Sequence, residues 1–260
     1  MSCVYQNKNN LMIFTGGKFP QKELALKVLE NLGFAKDSSF VISADSGFSV
    51  ATDYGFKTDL LIGDMDSIDK SLFSKIDDDI CQKKFPKDKD FSDTELAFIE
   101  AKKIPYKNSV LIGGSGGSIE HFEAIISAFK FEKFTKKFMS LPKFWLTEEN
   151  LIIFCKQGEE IKISCLEESD KISVFSANQN NHFAKIYSEG LKWKLQNVNW
   201  KKQVSLSNRK SELTNKSSQN DTNVSIFAKR GNFLIILPLR DSIKVSNSCK
   251  KKLIFFVRLF

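Results

Sequence analysis

The chain has 260 residues, enough for one large domain or two small ones, and its 42% hydrophobic and 27% charged residues are ordinary for a soluble globular protein. The net charge of +8 fits a partner that carries phosphates and equally fits a solvated lysine-rich surface. Five scattered cysteines argue against a disulfide framework or zinc site, and no segment resembles a signal peptide or membrane span. A cytoplasmic protein that does not bind membranes is the simplest interpretation.

The first half of the chain alternates between buried strands and amphipathic helices. Apolar runs that end in glycine or acidic residues predict strands, and apolar residues at helical spacing predict helices. Strands that alternate with helices of this length indicate βαβ units and a parallel sheet. The predicted strands are LMIFTGG, FVISADSG, DLLIGDMDS and SVLIGGSGG, and the predicted helices are PQKELALKVLENLGF, SDTELAFIEAKKI and GSIEHFEAIISAFKFEKF.

The pattern changes between Pro142 and Asn150, where short strand-like runs separated by polar turns replace the helices. This pattern is typical of an all-β sandwich or barrel. We therefore predict an α/β N-terminal domain with a mostly parallel sheet over residues 1–145, and an all-β C-terminal sandwich domain over residues 146–260. The polar segment 211–223 is predicted to be a mobile hairpin loop.

Acidic residues and glycines follow several of the predicted strands of the first half. Ligands of open parallel sheets bind outside the carboxyl ends of the strands, where these residues are expected to meet. Clustered carboxylates repel each other unless a cation such as Mg²⁺ neutralises them, and glycines let phosphates approach backbone N–H groups. The pattern therefore predicts a Mg-nucleotide site for phosphoryl or pyrophosphoryl transfer. Its members are Gly16, Gly17, Asp45, Asp64, Asp66, Lys89, Asp90, Asp93, Gly114, Gly116 and Gly117.

Each of these motifs alone has a simpler explanation. A single D-x-D is often a solvated turn, and GGSGG is often a flexible loop. The chain has no GxxxxGK[ST] motif, which excludes a P-loop kinase, and GGSGGS lacks the position and the downstream acid of a dinucleotide-binding fingerprint. The prediction depends on several motifs that recur at successive strand ends.

The motifs SADSG, DLLIGDMDSI, FPKDKDFSDTELA and VLIGGSGGSIEHFEAII, in this order, resemble the thiamine pyrophosphokinase family. The later segments YSEGLKWKL and VSLSN resemble motifs of that family's β domain. The resemblance covers about residues 11–240. It implies a homodimer that transfers pyrophosphate from ATP to the hydroxyl of thiamine, giving thiamine diphosphate and AMP.

The resemblance also implies a role for individual residues. Asp64, Asp66 and Asp93 would hold Mg²⁺, with Asp45 beside them as a fourth catalytic residue. The side chains of Lys89 and Asp90 would face the phosphates of ATP. Two glycine-rich segments would complete the phosphate site, and three polar residues would bind thiamine in the site of the partner subunit. The segments contain Gly16, Gly17, Gly114, Gly116, Gly117, Glu120 and His121, and the thiamine-binding residues are Ser205, Ser207 and Asn208.

The sequence departs from the family pattern at the second glycine motif. The family usually has Arg-Leu-Asp-His where this chain has Ser118, Ile119, Glu120 and His121, so a bidentate phosphate donor is missing. Two alternatives within this chemistry therefore stay open: a Mg-dependent transferase with another acceptor, and an inactive family member. A nucleic-acid-binding module is the third, although the chain has no RNP-type aromatic motif or helix-turn-helix pattern and its acids would repel phosphates in the absence of metal.

Overall fold

The computed structural model describes residues 8–65, 79–131, 137–178, 184–211 and 224–249. The predicted magnesium ligand Asp66 and residues 212–223 of the predicted mobile loop lie outside these ranges. The chain divides into two compact units. Unit 1 comprises Met1–Phe154 and Ile236–Asp241, and unit 2 comprises Cys155–Ile235 and Ser242–Phe260. None of the described helices is long and apolar enough to cross a membrane.

Unit 1 is an α/β unit whose sheet has the strand order β7-β6-β5-β1-β2-β3-β4. Neighbouring strands are parallel except for β6 and β7, which are antiparallel. The strands are β1 (Asn10–Phe14), β2 (Ser39–Ala44), β3 (Leu60–Gly63), β4 (Cys81–Lys84), β5 (Asn108–Ile112), β6 (Phe144–Leu146) and β7 (Asn150–Cys155). The helices are α1 (Lys22–Asn31), α2 (Gly47–Asp53), α3 (Asp93–Ala101) and α4 (Ile119–Lys130).

The burial of these strands explains their sequence. Every residue of β1, β2 and β3 is buried, as expected for parallel strands whose two faces are both covered. Strand β4 lies at the edge of the sheet, and its residues alternate between half-buried and exposed. This alternation, with two lysines among four residues, is why the apolar pattern does not predict β4. The prediction of a mostly parallel α/β sheet is confirmed.

The order of the strands places a crevice at one edge of this sheet. Strand β1 lies between β2 and β5, so the chain leaves β1 toward one side and later returns on its other side. The carboxyl ends of the parallel strands β1, β2, β3 and β5 share one edge. Ligands of open α/β sheets bind where the strand order reverses in this way, so the loops that follow β1 and β5 are the expected site.

In the part of unit 2 that the structure describes, the regular elements are strands and one short 3-10 helix, Leu195–Asn197. Four strands form an antiparallel sheet in the order β10-β12-β8-β14, and β11 pairs antiparallel with β9. The all-β fold of the second half is therefore confirmed. The strands are β8 (Glu159–Ser164), β9 (Ile172–Ser176), β10 (Lys185–Glu189), β11 (Ser205–Asn208), β12 (Val224–Arg230), β13 (Phe233–Pro238, which crosses the division between the units) and β14 (Lys244–Cys249).

Two features differ from the expectations of the sequence. Strand β14 closes the four-stranded sheet by pairing with β8, although its sequence, KVSNSC, has no strong strand pattern. Cys81 at the start of β4 is disulfide-bonded, whereas Cys155, Cys165 and Cys249 form no disulfide bond. The scattered spacing of the cysteines does not indicate that bond.

Candidate functional site

A cleft of about 530 Å³ lies in unit 1, at the edge of the sheet where the strand order predicts a ligand site. Its walls come from the loops after β1, β2, β3 and β5 and from the first residues of α3 and α4. The lining residues are Thr15, Gly16, Gly17, Ala44, Asp45, Ser46, Asp64, Lys87, Lys89, Asp90, Phe91, Ser92, Asp93, Thr94, Gly114, Gly117, Ser118, His121 and Ile125. The cleft therefore combines acidic, basic and backbone polar groups.

Backbone hydrogen bonds hold the two glycine loops against each other. The N–H of Gly114 donates to the carbonyl of Gly16 at 2.7 Å, and the N–H of Lys18 donates to the carbonyl of Ser115 at 2.6 Å. Gly114 has a φ of +75°, and a Cβ at this position would lie 2.6 Å from Ile125 Cδ1. The positive φ therefore favours glycine at this position, and the loops expose backbone to the cleft without side chains that would exclude a phosphate.

Two acidic residues reach the cleft from the ends of neighbouring strands. Asp45 follows β2 with a φ of +52°, a conformation that aspartate adopts more readily than most residues. Its N–H donates to the carbonyl of Ile62 in β3 at 2.8 Å, and its carbonyl accepts from Phe48 at the start of α2. Asp64 follows β3 directly. Both carboxylates line the cleft because their strands are parallel neighbours that end at the same edge.

The segment before α3 brings a lysine and a third carboxylate into the cleft. Lys89 Nζ lies 3.3 Å from Asp93 Oδ1 and donates to the carbonyl of Pro86 at 3.1 Å. Ser92 caps α3: its hydroxyl accepts from the N–H of Glu95, and the Glu95 carboxylate accepts in return from the N–H of Ser92. This capping box fixes where α3 begins, and therefore where Asp93 lies.

At the start of α4, the side chain of Ser118 makes hydrogen bonds within the first turn of the helix. Ser118 is the N-cap, and its hydroxyl accepts from the N–H of His121 at 3.4 Å and lies 2.6 Å from Glu120 Oε2, to which it donates. The hydrogen bond from Ser118 lowers the pKa of the exposed Glu120 carboxyl below its ordinary value. Ser118 and His121 line the cleft, whereas Glu120 and Gly116 are not among the lining residues.

The donor chemistry of the cleft fits a hard cation, since Asp45, Asp64 and Asp93 supply carboxylate oxygens. Asp93 Oδ1 is buried, and the ammonium of Lys89 lies beside it. Within the described ranges, however, no three His, Cys, Asp or Glu side chains are close enough to hold a metal together. Mg²⁺ commonly uses one or two protein carboxylates together with phosphate oxygens, so the described residues fit a metal that arrives with a nucleotide.

The predicted thiamine-binding residues lie in or beside β11 of unit 2. Asn208 is completely buried, and its side chain is hydrogen-bonded to neighbouring backbone groups. Its Oδ1 accepts from the N–H groups of Trp193 and Arg209, and its Nδ2 donates to the carbonyl of Trp193 at 2.7 Å. Ser205 is buried, whereas Ser207 is exposed and has a φ of +50°. Asn208 therefore holds the segment that carries Trp193.

Trp193 carries an exposed aromatic ring in the same segment of unit 2. The apolar side chain suggests a core residue, but half of its surface, 50%, is exposed, with the cations of Lys192 and Arg209 each 5.8 Å from its ring. The segment GLKW shows no periodicity that would indicate this exposure. An exposed indole is a flat surface on which a planar ring can stack.

The cleft brings together most of the residues that the motifs single out in unit 1. Gly16, Gly17, Asp45, Asp64, Lys89, Asp90, Asp93, Gly114, Gly117 and His121 all line it, and Asp66 lies outside the described residues. The motifs do not single out Thr15, Lys87, Phe91 or Thr94, which also line the cleft. Lys87 and Phe91 lie within the FPKDKDFSD motif, Thr94 follows it and Thr15 precedes Gly16, so their position in the sequence is the signal that could have identified them.

Comparisons with known proteins agree with this geometry. Residues 33–139 match the family model described as "Thiamin pyrophosphokinase, catalytic domain". The comparison with curated proteins found no match.

Solved structures of similar fold include thiamine pyrophosphokinase from Bacillus subtilis, with a TM-score of 0.62, 20% identity, and coverage of 90% of this chain and 100% of that chain. Yeast thiamin pyrophosphokinase has a TM-score of 0.61, 13% identity, and coverage of 92% and 89%. A thiamin pyrophosphokinase family protein from Enterococcus faecalis has a TM-score of 0.62, 17% identity, and coverage of 89% and 99%. The domain match confirms the resemblance to the thiamine pyrophosphokinase family that the motifs predict, and the structural likeness shows that the fold is the one those proteins have.

Proposed function

We propose that this protein is an ATP-dependent enzyme that transfers the terminal pyrophosphoryl group of ATP to the hydroxyl of thiamine, giving thiamine diphosphate and AMP. The observation that carries the proposal is the unit 1 cleft, in which glycine loops, carboxylates and Lys89 meet where the strand order reverses. Most of this cleft falls within the part of the chain that matches the family's catalytic domain.

In this proposal the cleft binds the nucleotide and aligns its β-phosphate. Asp64, Asp66 and Asp93 would hold Mg²⁺, which would neutralise charge on the phosphates. Lys89, which lies beside Asp93 Oδ1, would turn from that carboxylate to a phosphate oxygen as the ligand enters. The N–H groups of the glycine loops would contact the phosphates where no side chain stands between them and the cleft.

The acceptor, thiamine, would bind to unit 2, at the segment around Trp193 whose backbone is hydrogen-bonded to Asn208. Ser207 offers an exposed hydroxyl, and the exposed ring of Trp193 offers a stacking surface for the pyrimidine of thiamine. Asn208 would act by holding the Trp193 backbone. We propose further that two copies of the chain form a homodimer, in which unit 2 of one copy serves the cleft of the other, and that the protein works in the cytoplasm.

One reaction tests the proposal. The protein is incubated with ATP, Mg²⁺ and thiamine, and AMP and thiamine diphosphate are quantified together, with the Asp64→Asn variant as the control. Equimolar formation of both products in the wild type is expected. AMP formed only with a different alcohol would favour another acceptor. Nucleotide binding without any product would favour an inactive family member, as the Ser118 and Glu120 departures allow.

A mixing experiment tests the shared site. Asp64→Asn and Trp193→Ala variants are combined under conditions in which subunit exchange is demonstrated by a labelled copy. If the site is shared between copies, mixing restores part of the activity that neither variant has alone. Demonstrated exchange without recovered activity would contradict the composite site.

A further inference from the structure

An aromatic side chain that no motif explains stands in the unit 1 cleft. Phe91 lines the cleft and is 40% exposed. Exposure of a single large apolar residue is ordinary, and Phe131 and Phe138 are exposed to 43% and 46% without lining the cleft. Phe91 differs in its position, because its exposed surface belongs to a cleft whose other walls are mainly polar. A ligand of this cleft would meet one flat apolar surface.

The backbone on both sides of Phe91 is anchored. Before Phe91, the side chain of Lys89 donates to the backbone carbonyl of Pro86 and spans the turn between them. One residue later, Ser92 N donates to Glu95 in the capping box that begins α3. A side chain presented by a fixed segment loses little conformational entropy when it binds a ligand, so Phe91 is a preorganised contact.

We propose that Phe91 is the stacking surface for the base of the nucleotide, an inference that rests on the proposed function. The phosphate-binding elements of the cleft and Phe91 belong to the same unit, and a nucleotide joins a charged phosphate chain to a planar ring. Stacking recognises the face of a ring and not its polar edge. Phe91 therefore contributes affinity for nucleotides while discriminating little between adenine and guanine.

Calorimetric titration separates the base from the phosphates. AMP, GMP and inorganic pyrophosphate are each titrated in the presence of Mg²⁺ into the wild-type protein and into Phe91→Ala, Phe91→Leu and Phe91→Trp. Loss of a stacked aromatic group weakens base binding by about tenfold or more. We expect this loss for AMP and GMP in Phe91→Ala, a smaller loss in Phe91→Leu, and retained affinity in Phe91→Trp. Pyrophosphate affinity should stay within about twofold of wild type in all three.

Phe138→Ala is the matched control, since Phe138 is similarly exposed but lies outside the cleft. It should leave the affinity for all three ligands unchanged. If the wild type binds AMP and Phe91→Ala binds it equally well, the inference is wrong while the proposed function survives. An equal loss for pyrophosphate would overturn it as well, because Phe91 would then not act on the base. If the wild type binds neither AMP nor pyrophosphate, the proposed nucleotide site itself fails, and the inference fails with it.

Discussion

The cleft of unit 1 and the β11 segment of unit 2 use polar side chains in opposite ways. In the cleft, Asp64 and Lys89 lie at strand and helix ends where a ligand can reach them. In β11, Asn208 is fully buried, and its amide is hydrogen-bonded to the backbone of Trp193 and Arg209. A residue type thus fixes which hydrogen bonds a side chain can make, but the fold decides whether they are made within the protein or to a ligand.

This contrast has a measurable consequence. Substitution of a cleft carboxylate should impair the reaction first, because it removes a charge that the proposed metal site needs. Substitution of Asn208 should lower the free energy of unfolding first, because buried backbone groups lose their hydrogen-bond partners. The expected effects below run from the largest to the smallest.

The largest effect is expected for Asp64→Asn. The amide keeps the shape of the side chain but removes the negative charge that would bind Mg²⁺, so thiamine diphosphate formation should fall on the order of 10²–10³-fold. The melting temperature should fall less than in Asn208→Ala, because the amide keeps the shape of the Asp64 side chain whereas Asn208→Ala removes three hydrogen bonds to the backbone. Near wild-type turnover at limiting Mg²⁺ would remove Asp64 from the proposed metal site and weaken the contrast with β11.

Asn208→Ala is expected to destabilise the protein by about 2 kcal/mol, since three backbone groups around Trp193 lose their hydrogen bonds. Denaturant unfolding measures this change. Ser207→Ala, one residue away and exposed, is the matched control and should change the free energy of unfolding by less than about 0.5 kcal/mol. An unchanged stability in Asn208→Ala would show that the amide is available to a ligand after all.

Ser92 sharpens the contrast because it lines the cleft and also caps a helix. Ser92→Ala removes the capping box of α3 and should lower the free energy of unfolding by about 1 kcal/mol. Ser46, which occupies the N-cap of α2 without a side-chain capping hydrogen bond, gives the control. Ser46→Ala should cost markedly less, and equal losses in the two variants would mean that the Ser92 hydroxyl does not stabilise α3.

The smallest effect concerns the charge of Glu120 at the start of α4. Ser118→Ala removes the hydrogen bond that lowers the pKa of Glu120, so this pKa should rise toward its ordinary value, as measured by an NMR titration. Ser118→Thr keeps a hydroxyl and serves as the control. A carboxylate with a depressed pKa contributes stability above its unfolded-state pKa and loses it as the pH falls through the folded-state value. Since Glu120 is exposed, this acid-range change in stability should be slight, and an unmoved pKa in Ser118→Ala would exclude Ser118 as its cause.

The sequence alone was enough for the main organisation of the chain. Continuous apolar runs predict β1, β2, β3 and β5 because strands buried on both faces need apolar residues at nearly every position. The Ser92 and Glu95 spacing marks the start of α3 because capping is a local interaction. The glycines and acids that follow these strands could be expected to meet, since parallel strands share the edge at which they end.

The tertiary structure decided which strands pair, which side chains are exposed and which hydrogen bonds form between distant segments. Strands β4 and β14 are polar and form because a neighbouring strand offers its backbone, which no periodicity in their own sequence records. Phe91 and Trp193 have large aromatic side chains, a type that is usually buried, yet both are exposed to solvent in the folded chain. Asn208 has the hydrogen-bonding groups of a ligand-binding residue, but its amide is hydrogen-bonded to the backbone of Trp193 and Arg209. Local sequence determines the groups that each residue carries, whereas burial and hydrogen-bond partners depend on segments far apart in the chain, which meet only when it folds.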